Sequence, residues 1–159
     1  MSSDSLSSPS RLWRSLHLDL PGAAGSPHPL RWIAASLVAV LGSLAACAGI
    51  AAATIALVPA LASYEHLAFR DYAKLEVIGV VAACIGWQVV ARLSSRAWLP
   101  FLWLAVLVTV VGLAPDVWIV VHGQPPVGVA ALVVMHLALA VITYPALVLL
   151  APARSGGRR

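Results

Sequence analysis

The chain has 159 residues, 61% of them hydrophobic and 10% charged, and a mean hydropathy of +0.93. That leaves too little polar surface for a soluble globular domain, and the length holds one compact bundle of spans with no second folded domain beside it. The net charge of +4 and pI near 9.7 do not point to nucleic acid, because the basic residues flank apolar stretches, where arginines set topology.

The first 31 residues read as a cytoplasmic tail. Both of its ends, "MSSDSLSSPS" and "PGAAGSPHP", are rich in Ser, Pro and Gly, a composition that favours disorder. Between them "RLWRSLHLDL" puts Leu12, Trp13, Leu16 and Leu20 on one helical face, so a short helix lying on an anionic membrane surface is the alternative.

Four apolar stretches follow, each near the roughly 20 residues that a helix needs to cross the hydrocarbon layer. They cover about 32–62, 75–93, 98–121 and 127–151, with a basic tail at 152–159. Every backbone hydrogen bond must be satisfied inside a span, so helix is expected despite the many valines. The fold class is therefore all-α: a four-helix transmembrane bundle running up-down-up-down. Pro59, Pro115 and Pro145 each lack a backbone donor and should loosen or bend the first, third and fourth spans. "ALASY" (Ala60 to Tyr64) mimics a signal-peptidase site, but the apolar run before it is about twice the usual 7–15 residues, so the segment is expected to stay.

Lys and Arg counts orient the bundle. Arg11, Arg14, Arg31, Arg92, Arg96, Arg154, Arg158 and Arg159 fall on one side, and Arg70 and Lys74 on the other. Both termini are then expected in the cytoplasm of a cell whose plasma membrane holds the protein. Trp32, Trp98 and Trp118 stand near proposed span ends, where indoles prefer to sit.

Spans associate through small and polar residues. Ser36, Ser43, Cys47 and Thr54, with Ala39 and Ala46, form a stripe in the first. Glu76, Gly79, Ala83 and Gly86 align in the second, Thr109, Gly112 and Asp116 in the third, and His136, Ala140 and Thr143 in the fourth with Tyr144 beside them. His136 lies nine residues past Val127, about 14 Å into its span at 1.5 Å per residue. Facing lipid it would leave a donor and an acceptor unpaired, at a cost of several kcal/mol. It is expected to face the interior as a neutral imidazole, bonded to Thr109, Ser43, Tyr144 or a backbone carbonyl. It either fastens helices, worth ~0.6 kcal/mol in measured cases, or marks a functional site.

The most polar group of residues is extracytoplasmic: Tyr64, Glu65, His66, Arg70, Asp71, Tyr72, Lys74 and Glu76, with Asp116, His122 and Gln124 across the bundle. Solvated loop charge is the plain explanation. Glu76 and Asp116 stand apart because they share faces with the small-residue stripes, and Lys74 or Arg70 would be their natural partners. The candidate functional residues are thus His136, Glu76, Asp116, Tyr144 and His122. Cys47 and Cys84 form no Cys-x-x-Cys pair, which removes thiol-disulfide exchange and a zinc ribbon. No spacing of metal ligands, cofactor motif or nucleophile-base pattern can be read, so neither enzyme, metal nor cofactor is expected.

From about Ile78 to Leu150 the chain resembles a family of small four-span bacterial integral membrane proteins known only as a domain of unknown function. "GVVAACIGW" (Gly79 to Trp87), Arg92, Trp98, "GLAP" (Gly112 to Pro115), "MHLALA" (Met135 to Ala140) and Pro145 carry that resemblance. It implies four spans in a bacterial inner membrane and brings no activity. Four-span thiol oxidases need cysteine pairs that are missing, and small multidrug exporters need a glutamate within the first span. Two functions remain: a non-enzymatic partner or accessory bundle, acting on another membrane protein or a second copy, or a carrier or sensor of a proton, metal or small ligand.

Overall fold

The first long helix begins where the sequence supplies a cap. In the computed structural model, which describes residues 24–94 and 96–155, Leu30 N–H donates to the His28 ring at 3.3 Å and Pro29 occupies the first turn. Proline suits that position because the first N–H groups of a helix lack intrahelical partners anyway. The proposed surface helix at residues 11–20 lies outside the described residues.

Helix α1 (Pro29–Leu57) ends five residues before the expected boundary. Pro59 forces Val58 out of the helical region, to φ −132° and ψ 81°, and the chain continues as 3-10 turns over Pro59–Ser63 and Glu65–Leu67. Helix α2 (Phe69–Leu93) starts six residues earlier than expected. Hydropathy stops at Arg70, Asp71 and Lys74, but charged side chains can sit on a helix that extends beyond the apolar layer, and Asp71 suits a first turn.

The third span is two helices, α3 (Trp98–Gly112) and α4 (Ala114–Val121), with Pro115 in the opening turn of α4. Without an N–H, Pro115 cannot donate to the carbonyl of Val111, and the helix resets at Leu113, whose own N–H turns to the preceding carbonyls. Helix α5 (Pro126–Leu150) continues uninterrupted through Pro145. Two short segments flanking the bundle, β1 (Ala24–Gly25) and β2 (Arg154–Ser155), pair antiparallel and tie the approach to α1 to the exit from α5.

The result is an all-α four-helix bundle whose four spans are long and apolar enough to cross a membrane. Helices α1 and α5 share its largest interface. Ala35, Ala39, Ser43, Cys47 and Ala51, each four residues after the last, make the buried face of α1. Such a stripe lets the α5 backbone approach closely. At the end carrying both termini, Trp87, Phe101, Val80, Ala91 and Leu147 fill the core. There Trp87 Nε1–H donates to the carbonyl of Ala151 at 2.8 Å and Tyr144 hydroxyl to that of Trp98 at 3.1 Å. At the other end, the rim, Cys47, Ala51, Leu61, Leu67, Ala131 and Met135 form a second cluster.

The α3–α4 layer is the thin edge. Only 6% of its most apolar stretch is buried, against 22% in each of the other spans.

Candidate functional site

His136 stands ten residues into α5, about 15 Å from its start. Asp116 is the third residue of α4, on the other arm of the hairpin closed by residues 122–125. In any helix the Cα–Cβ bonds tilt toward the N-terminus. The two arms run antiparallel, so the Asp116 side chain leans deeper and the His136 side chain leans rimward. They meet: His136 Nδ1 lies 3.1 Å from Asp116 Oδ2.

The same nitrogen lies 3.2 Å from the carbonyl of Leu132, one turn earlier on α5. A carbonyl can only accept, so this contact places a proton on Nδ1. Asp116 Oδ2 is buried and close to that proton without the alignment of a hydrogen bond. Gly112, one turn before Asp116, makes room for the ring. A Cβ there would stand 3.2 Å from His136 Cδ2 and 3.4 Å from Nε2.

The pair is unequally shielded. The Asp116 side chain is 6% exposed and that of His136 38%. The expectation of a backbone carbonyl as partner holds, whereas full enclosure does not, because the ring sits at the thin α4–α5 edge. The other expected partners are occupied elsewhere. Thr109 hydroxyl donates back to the carbonyl of Ala105 at 2.8 Å, Ser43 and Thr143 hydroxyls lie 3.4 Å apart, and Tyr144 reaches Trp98.

Polar groups lead from this pair to the rim. The Tyr64 ring covers Gly128, where a Cβ would come within 2.7 Å of the ring. Its hydroxyl is buried without a hydrogen-bond partner. Burial first, and then the charge of Asp116, push the Tyr64 phenol above its ordinary value of 10.0, so it stays protonated at neutral pH. His66 meets Tyr64 edge-on at 5.3 Å, and its Nδ1 lies 3.0 Å from Asp71 Oδ2. Both His66 and Asp71 are substantially exposed.

Glu76 is separate. It is 5% exposed, faces Cys47 of α1, and has neither carboxyl oxygen hydrogen-bonded. The expected ion pairs with Arg70 or Lys74 do not form: among the described residues the ion pairs are His66–Asp71 and His136–Asp116. At about 100° per residue, Lys74 and Arg70 are turned roughly 200° and 240° around α2 from Glu76, on its far side.

The remaining two candidates lie apart. His122 is exposed, with its ring 4.2 Å from Trp118 and Nδ1 2.8 Å from the Trp118 carbonyl. Tyr144 belongs to the terminal-end core, stacked on Phe101 at 5.7 Å. Among the described residues no three His, Cys, Asp or Glu side chains gather as a metal site would require.

No protein-family model, curated protein or solved structure matches this chain. The site must therefore be read from its own geometry. The polar series stops at the Ser43–Thr143 contact. Beyond it the core is chiefly Val80, Cys84, Trp87, Phe101 and Leu147, with the Ser36 hydroxyl near Cys84.

Proposed function

We propose that this integral membrane protein is a proton sensor that reads pH at its rim through Asp116 and His136. The supporting observation is a buried carboxylate 3.1 Å from an imidazole, with Tyr64 and the exposed His66–Asp71 pair on its rimward side. Sensing is favoured over carriage because the ionisable pair lies in the rimward half, while the terminal half is filled chiefly by Val80, Trp87, Phe101 and Leu147. Changing the charge on the pair alters the attraction that holds α4 against α5, an element already poorly buried.

The arginine count supports placing both termini in the cytoplasm and the rim outside. The sparse burial of Trp98–Val121 supports a second, compatible role: accessory bundle to another membrane protein or to a second copy, which would receive the signal on the α3–α4 surface.

Hydrogen exchange of the α4–α5 hairpin in reconstituted protein tests the reading. Protection should change with pH, and Asp116→Asn and His136→Gln should each flatten that change. A flat profile in the unmodified chain, or proton flux across sealed vesicles, overturns it.

A further inference from the structure

We propose that Glu76, in the seam between α1 and α2, is a second proton-binding site of this bundle, independent of the Asp116–His136 pair. Three observations carry it. The residue is 5% exposed. Neither carboxyl oxygen has a hydrogen-bond partner. No cation faces it.

The groups that do face it are few. Cys47 comes from α1, its thiol alongside the carboxyl, and Tyr72 comes from one turn earlier on α2. Cys47 belongs to a cluster in which α5 contributes Ala131 and Met135 and the 3-10 turns Leu61 and Leu67, and the phenols of Tyr72 and Tyr64 are the other titratable groups packed against it. A bare carboxylate in such surroundings would lack any counter-charge, whereas the neutral acid carries none to be compensated. Divalent or monovalent cations want several oxygen ligands, and this seam supplies a thiol and one phenol beside the carboxyl. A proton needs only the carboxyl itself.

The occupant therefore gates the seam. With its proton, Glu76 packs against Cys47 and the two helices stay closed. Without it, an unpaired charge lies between α1 and α2, and the seam must open to water or to a cation to relieve it. This site sits on the opposite side of α2 from Arg70 and Lys74, so those charges do not rescue it.

The full chain in lipid vesicles can be treated with a hydrophobic carbodiimide, which reacts with protonated carboxylic acids in apolar surroundings, and the adduct mapped by mass spectrometry. Infrared spectra of the same samples report the carbonyl band of a neutral carboxyl group. We expect an adduct and a neutral-acid band that persist at neutral pH, vanish in Glu76→Gln, and remain in Asp116→Asn. Cys47→Ala should shift the pH at which both signals disappear. Glu76→Gln preserves the shape of the side chain, so its folding can be verified by circular dichroism before comparison. Absence of the neutral-acid band at neutral pH overturns the proposal. So does suppression of both signals by sodium but not by choline, which would make the site a cation site. Persistence of the Glu76 signals in Asp116→Asn, even where the hairpin's pH response is lost, separates this site from the sensing pair.

Discussion

His136 Nδ1 lies 3.1 Å from Asp116 Oδ2, on the two arms of one helical hairpin. Their interdependence is measurable. Removing the imidazole with His136→Ala leaves a buried carboxylate facing no donor. Breaking a buried pair costs about 3–5 kcal/mol, and with the ring 38% exposed a loss of ~1–3 kcal/mol is expected after solvent screening. Asp116→Asn keeps the shape and removes the charge, so it should cost less. The double variant should recover part of the loss. A double-mutant cycle by unfolding in mixed micelles checks this, and strictly additive effects would refute the coupling.

Gly128 lies beneath the Tyr64 ring, with space for a hydrogen and none for a methyl group. Gly128→Ala would bring a Cβ to 2.7 Å of the ring, and the rigid aromatic must move away with the 3-10 segment that carries it. Overpacking of this kind costs about 1–3 kcal/mol. Introducing Tyr64→Ala into Gly128→Ala should recover stability, whereas Tyr64→Phe should not, since the clash involves ring carbons. Thermal denaturation of the three proteins decides.

Much of this architecture was legible in the chain. Apolar run length located four spans, and the stripe of Ser36, Ser43, Cys47 and Thr54 with Ala39 and Ala46 caught only part of the α1 packing face: Ala39, Ser43 and Cys47 are buried there, joined by Ala35 and Ala51. Helix ends were less legible. Hydropathy reports which residues suit lipid, whereas Pro59 and the hydrogen-bonding backbone around Asp71 decide where helices stop and start. The Glu76, Gly79, Ala83, Gly86 stripe was only partly the packed face: Glu76 is buried, but Gly79 has open space before it.

The pairing of Asp116 with His136 was hidden for a geometric reason. Counting residues from span ends assigns them different depths. Folding the hairpin about residues 122–125 instead places Gly112 opposite His136, with Asp116 one turn rimward, and opposed Cα–Cβ tilts close the remaining gap. A glycine facing a histidine, one turn from an aspartate, was the signal available. Tyr64 and His66 were recognised as rim residues, but only the fold brings them toward Asp116.

Trp87 is the largest fully buried side chain, and its Nε1–H donates to Ala151 at 2.8 Å, tying α2 to the end of α5. Trp87→Phe should cost about 1–3 kcal/mol by leaving that carbonyl undonated. Trp87→Ala should cost about 3–5 kcal/mol, since a cavity is added. Neither change reaches the rim. The pH response of the α4–α5 hairpin should therefore survive in Trp87→Phe, and its loss there would place sensing in the whole bundle instead of in the Asp116–His136 pair.

Tyr64 ties the stability of the rim to alkaline pH. Burial, then the Asp116 charge, raise its phenol above the ordinary 10.0. The folded chain thus holds the phenolic proton more tightly than the unfolded chain. Its contribution to stability is fully present below the unfolded value and is lost as pH rises through the folded one. Tyr64→Phe has no proton to lose. Its unfolding midpoint should fall less steeply than that of the unmodified chain on the alkaline side of pH 10, with the two curves running parallel at neutral pH. Adding Asp116→Asn to the unmodified chain should make the alkaline fall smaller, because the charge that opposes ionisation is gone and the folded value drops toward the unfolded one. Identical alkaline limbs in all three proteins would remove Tyr64 from the series linking the rim to the buried pair.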